Sequence, residues 1–168
     1  MDVRSLAYRT DLALLEAAGS EVEHHDDHVV VRTPANPRYW WGNFVLLAVP
    51  PAADDLSGWL EVFGSAHPRA AHLAFGVDGL DGTLADLAGF AAAGLDVEAA
   101  TVMTASIVHE PPRPNRGATY RPLRSDKDWA QLVALGIAGE HEKSGADFVV
   151  AKTAAERALT GHGSGEWW

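Results

Sequence analysis

Two apolar, β-branched runs, each shut off by proline, most constrain how this chain can fold. Val29-Val30-Val31-Arg32-Thr33 stops at Pro34, and residues 43–49 stop at Pro50-Pro51. Such residues favour pleated backbone, and proline has no N–H for a ladder, so the runs predict two neighbouring strands. Directly after them Leu56, Trp59, Leu60 and Phe63 recur at i, i+3, i+4 and i+7, behind Asp54-Asp55 and ahead of His67-Pro68. That spacing predicts an amphipathic helix whose apolar stripe must be covered. The short apolar run 72–77 predicts a further buried strand. A mixed α/β layer follows.

The remaining pattern also alternates. Thr10 and Asp11 are placed to cap a first helix carrying Leu12, Leu15 and Ala18, and Gly19 to end it in the left-handed conformation. Residues 21–27 read as a polar loop or strand edge. Thr83 can cap a helix with Leu84, Leu87 and Ala91 on one side and Gly94 at its end, and 99–108 is β-branched enough for another strand. The prolines of 111–117 break regular structure and predict a stiff linker between residues 1–110 and a second unit, 118–168. In that second unit Thr119-Tyr120-Arg121-Pro122-Leu123 reads as a strand. Ser125 and Asp128 have the spacing of a capping box, ahead of the stripe Trp129, Leu132, Val133 and Ile137. A helix over 148–159 and a turn over 161–165 complete it.

Composition narrows the function classes. A net charge of -10 repels phosphate backbones and anionic lipid, which argues against nucleic-acid and membrane binding. The absence of cysteine removes disulfides, thiolate catalysis and Cys-ligated zinc. No apolar run approaches the roughly 20 residues of a membrane span, and the first residues lack a signal-peptide progression, so the expectation is a soluble cytoplasmic protein.

Three catalytic patterns fail on their chemistry. Leu80-Asp81-Gly82-Thr83 resembles the phosphatase pattern Asp-x-Asp-Gly-Thr, but Gly79 stands where the nucleophilic carboxylate is needed. His141-Glu142 starts like the zinc-protease helix motif, and Gly145 replaces its second histidine. Glu23-His24-His25-Asp26-Asp27-His28 is rich in metal-ligating groups, yet they are contiguous rather than gathered from spaced positions, so it reads as a solvated segment and no metal site is assigned.

Tryptophans carry the remaining signal. Trp59 and Trp129 lie on helical apolar faces and are expected in the core. Trp40 and Trp41 are predicted on a strand, facing opposite sides, which leaves one of them for a ligand or an interface. The chain stops on a second pair, Trp167-Trp168, so that Glu166-Trp167-Trp168 reads as the opening of a repeat of the first aromatic block and as an unfinished strand.

Together, the block from Val30 to Phe44 (with Asn36-Pro37-Arg38-Tyr39-Trp40-Trp41-Gly42-Asn43 at its centre), the run 72–77, Val102-Met103-Thr104-Ala105, and Tyr120-Arg121-Pro122-Leu123 before a capped helix resemble a bacterial subgroup of the GNAT N-acetyltransferases. In that subgroup a GNAT-like N-terminal half precedes a catalytic half. The resemblance implies an α/β (α+β) fold, a mixed and largely antiparallel sheet flanked by helices, with an incomplete second unit. It also implies acetyl-CoA as the full-length family's cofactor, an amine as acceptor, and a late tyrosine to protonate the departing thiolate. The family receives the pyrophosphate on a Gln/Arg-x-x-Gly-x-Gly/Ala loop between strand and helix, and no such loop is recognisable here, so neither catalytic nor cofactor-binding residues are assigned. On the acceptor side the resemblance points to Glu140, His141 and Glu142. The expectation is the N-terminal portion of an acetyltransferase, not catalytic alone. The other readings are an interaction module that dimerises by strand addition at Trp167-Trp168, or a small-ligand domain that uses Trp40 and Trp41.

Overall fold

The computed structural model describes residues 1–52, 54–79, 83–107, 109–139, 145–163 and 165–168. Among the described residues, five α-helices accompany one four-stranded mixed sheet, an α+β arrangement. The strands run in the order β1 (Glu21–His24), β2 (His28–Arg32), β3 (Phe44–Leu47) and β4 (Phe75–Val77). The first three are antiparallel neighbours, whereas β4 is parallel to β3, with Val45 opposite Phe75 and Leu47 opposite Val77. Parallel neighbours need a crossover, and helix α2 (Leu56–Ala66) supplies it.

Successive strand residues point to opposite faces. Val29, Val30 and Val31 are nevertheless all buried, as are all four residues of β3, so both faces of the central strands are covered. The strands share one core with Leu12 and Leu15 of α1 (Leu6–Ala17), Phe63 of α2 and Phe90 of α3 (Ala88–Ala92). Trp59 packs half-buried against it, and Trp129 is buried in α4 (Asp126–Gly139). The outer strand β1 is mostly exposed and charged, which discourages further pairing at that edge.

Several sequence expectations hold in detail. Gly19 lies at φ 92°, and Ser20 N–H reaches Leu15 C=O at 2.9 Å, closing α1 with a left-handed cap. Thr83 and Asp86 form a capping box ahead of a 3-10 turn, Leu84–Leu87, that leads into α3. Gly94 is also left-handed, at φ 89°. Ser125 and Asp128 exchange the two bonds of the predicted capping box at the start of α4. The helix predicted over 148–159 is α5 (Gly145–Gly161), and Gly136 lets it approach α4 closely, since a Cβ there would meet Val149 Cγ1 at 2.6 Å.

Other expectations are overturned. Helix α1 starts at Leu6, not at Thr10 or Asp11, because a carboxylate distant in sequence, Asp78, receives the N–H groups ahead of its first turn; Thr10 Oγ1 instead donates to Leu6 C=O inside the helix. The run 72–77 shortens to β4, and His72 turns its ring to the Asn43 backbone. No strand forms over the described residues of 99–108 or over 119–123. Residues 99–107 are exposed throughout, Met103 at 87%. β-branched composition makes a strand only where an edge accepts it, and none of the described residues in these two runs pairs with the sheet. Ile137, assigned to the buried stripe of α4, is exposed.

Candidate functional site

Residues 33–43 join β2 to Phe44, the first residue of β3, and their side chains close the connection on itself. Asn43 Oδ1 accepts the Thr33 N–H at 2.9 Å, and its Nδ2 donates to the carbonyls of Asn36 at 3.0 Å and Tyr39 at 2.7 Å. Thr33 Oγ1 donates to Gly42 C=O at 2.7 Å and meets Ser20 Oγ at 2.8 Å. Buried amides must be satisfied, and Asn43 is buried with both ends of its amide used. Gly42 is required by contact, since a Cβ there would lie 2.4 Å from Tyr39 Cδ1 and 2.6 Å from Thr33 Oγ1. This is the physical content of the aromatic block: its polar residues hold one loop shape.

Trp40 and Trp41 therefore occupy a 3-10 turn, Trp40–Gly42, and not a strand. A loop bonded across itself at Thr33, Asn36, Tyr39 and Gly42 cannot be stretched to the pleat that the apolar run suggested. Trp41 lies flat on Phe44, with ring centres 4.9 Å apart and planes at 3°, and stands 6.1 Å from Tyr8. One of its faces is thus taken, while Trp40 is 60% exposed. The buried Asn36 donates Nδ2 to Phe148 C=O at 3.1 Å, and the Tyr39 ring lies 5.6 Å from that of Phe148, so the same loop receives α5. Burial raises the phenol pKa of both Tyr8 and Tyr39.

A second location is chemically suggestive from topology alone. In sheets with parallel strands, ligands settle outside the carboxyl ends of those strands. Here that place lies between the β3–α2 connection and the segment after β4, where a crevice of about 80 Å³ is lined by Pro51, Ala52, Leu56, Asp86, Gly89 and Phe90 among others. Organic ligand sites span roughly 300–1,000 Å³, so this crevice is too small for a nucleotide. Its polar character is wrong for phosphate as well. Pro50 and Pro51 have no N–H, Ala48 N–H is bonded to Asp27 C=O, and Asp54 and Asp55 place carboxylates where α2 begins. Asp55 Oδ2 itself takes the Ala52 N–H at 3.3 Å.

The remaining candidates are scattered. Glu140, His141 and Glu142 lie outside the described residues. Trp167 is not free-standing: its carbonyl accepts the Leu123 N–H at 2.7 Å, while Arg124 reaches Glu166 at 3.3 Å and Trp168 is 70% exposed. The first Trp-Trp pair follows β1 and β2 in the chain, and the second follows α4 and α5. The histidine-rich segment is the β1–β2 hairpin. His25 and His28 stack at 4.2 Å, Arg32 holds the Glu23 carboxyl below its usual range, and His28 does the same for Asp27. Among the described residues no group of three or more His, Asp or Glu side chains is arranged to hold a metal ion.

Sequence reasoning passed over Asp78, whose carboxylate acts on backbone far from it in sequence, where no local pattern marks it. No helix among the described residues is long and apolar enough to cross a membrane. Searches of protein-family models, of curated proteins and of solved structures find no match to this chain.

Proposed function

We propose that this chain is the N-terminal portion of a GNAT-like N-acetyltransferase, in which residues 1–110 form a non-catalytic half that binds no acetyl-CoA. Acetyl transfer from acetyl-CoA to an amine then belongs to the assembled protein, not to this chain alone. The observation that carries the reading is the β3–α2 junction beside parallel β4. It has the strand-loop-helix order in which the family receives the pyrophosphate, but prolines and two aspartates stand where N–H groups would be needed. Carboxylates at a helix N-terminus repel the anion that the helix dipole would otherwise attract. The loop that stays well built in this half is the Asn36–Asn43 one, and it is committed to holding α5.

Calorimetric titration of the 168-residue chain with acetyl-CoA, with free CoA as control, tests the reading. The expected result is no saturable heat with either ligand. Micromolar binding overturns it, because a pyrophosphate site would then exist at or away from this junction.

A further inference from the structure

Among the described residues, one buried side-chain polar atom has no hydrogen-bond partner: Nε2 of His67. Such orphans are rare and call for an explanation. His67 is the residue that ends α2, is 8% exposed, and lies with its ring 4.6 Å from that of Phe63. The His72 ring also lies near Phe63, with ring centres 6.0 Å apart, and its Nε2 is bonded to Asn43 C=O at 3.1 Å. The Phe44 backbone is close enough to the His67 ring to bear on its protonation. Two imidazoles thus lie near Phe63, and the residues they bear on, Asn43 and Phe44, are consecutive at the entrance to β3. Asn43 completes the 33–43 loop, and Phe44 carries the Trp41 stack.

We propose that His67 is an acid-operated release for this loop: protonation of its enclosed Nε2 expels the ring from its place beside Phe63 and loosens the Trp40-Trp41 turn. The step is a proton uptake from solvent at Nε2, with no other bond made or broken. Neutral imidazole tolerates the apolar enclosure, whereas imidazolium adds an N–H and a positive charge with no acceptor there. The charged and titratable groups that act on the ring are Arg32 of β2, which also donates to Ala66 C=O at 3.2 Å, and His72 of the segment before β4. Arg32 opposes a second positive charge, and the carboxylate nearest to it, Glu23 of β1, is bonded to its guanidinium at 2.8 Å and so is already engaged.

The sign agrees with this. Burial first, then Arg32 and His72, lower the His67 pKa from 6.5, and only the Phe44 backbone raises it. In the unfolded chain the ring takes its proton at about 6.5, so stability is complete above that pH and declines as the pH falls below it.

The experiment follows the Trp41 indole N–H and the histidine ring resonances of the whole chain by NMR from about pH 8 to about 4.5, with circular dichroism to register unfolding. The Trp41 resonance is expected to shift in step with His67 titration, below pH 6.5 and before helix is lost. In His67→Gln, an uncharged polar replacement, the Trp41 transition should disappear or move down by about one pH unit or more, a tenfold change in proton concentration. His67→Phe gives the same reading if the glutamine variant does not fold, and His72→Gln should leave the transition in place. A Trp41 transition at unchanged pH in the His67 variants overturns the proposal. So does a native His67 that titrates at or above 6.5, or a Trp41 resonance that stays put until the chain unfolds.

Discussion

The Asp78 carboxylate, just past the end of β4, accepts the backbone N–H of Ser5 at 2.8 Å, and its second oxygen accepts that of Arg4 at 2.6 Å. The first N–H groups of a helix have no partner within it, so a carboxylate distant in sequence meets the chain where α1 begins and fixes it to the end of β4. Arg4 Nη2 returns a bond to the Asp78 carbonyl at 3.2 Å. Asp78→Ala leaves the buried Ser5 N–H and the part-buried Arg4 N–H unpaired and should cost about 2 kcal/mol. Asp78→Asn keeps one acceptor and should cost less. Urea unfolding at neutral pH measures both, and an alanine variant as stable as the parent would remove the capping role.

Asn43 makes a sharper prediction because its two amide ends face opposite partners. Replacing it by aspartate turns the donor that meets the Asn36 and Tyr39 carbonyls into a negatively charged acceptor. Asn43→Asp should therefore cost more than Asn43→Ala at neutral pH, on the order of 3 kcal/mol. Part of that loss should be recovered on acidification, when the carboxyl regains a proton to donate. Unfolding at about pH 7 and about pH 5 checks it; equal stability of the aspartate variant at both values would mean that the side chain has turned out to solvent.

Two glycines predict opposite signs. Gly42→Ala inserts a methyl against Tyr39 and Thr33 at 2.4 and 2.6 Å. It should destabilise by about 1–3 kcal/mol, with loss of the Trp41 stack in near-ultraviolet dichroism. Gly64 is an exposed position of α2 where an added methyl meets nothing within 4 Å. Gly64→Ala should therefore stabilise by about 0.5–1 kcal/mol. Thermal melts of the pair separate a steric requirement from a propensity effect.

The central strands and α2 were legible in the sequence because their signals are local: β-branched runs that end at proline, and apolar residues at helical spacing. The caps at Gly19, Thr83 and Ser125 were legible for the same reason. The start of α1 was not, since its cap is Asp78, 73 residues away from Ser5. Nor was the fate of 99–107, where a strand-like composition finds no partner in the sheet. For the candidate site, the sequence singled out the aromatic block and misread its shape. Trp40 and Trp41 were prominent, but the geometry is set by Thr33, Asn36, Gly42 and Asn43, whose bonds cross the loop and leave no periodic trace.

Acid should act on the chain in two separate windows. The first begins below pH 6.5 and belongs to His67. The second belongs to Asp128 at the start of α4, where the Arg121 guanidinium, then the backbone and hydroxyl of Ser125 and the N–H of Arg124, hold the carboxyl far below its ordinary 3.8. A depressed carboxyl contributes stability above its unfolded pKa, and that contribution declines as the pH falls below 3.8 toward the folded value. Asp128→Asn should therefore lower stability at neutral pH, have progressively less effect below about pH 4, and leave the His67 window untouched. Denaturant midpoints at about pH 7, 5 and 3 for parent and variant resolve the two. A variant whose deficit is the same at all three values would show that the Arg121 and Ser125 bonds do not depend on the charge of Asp128.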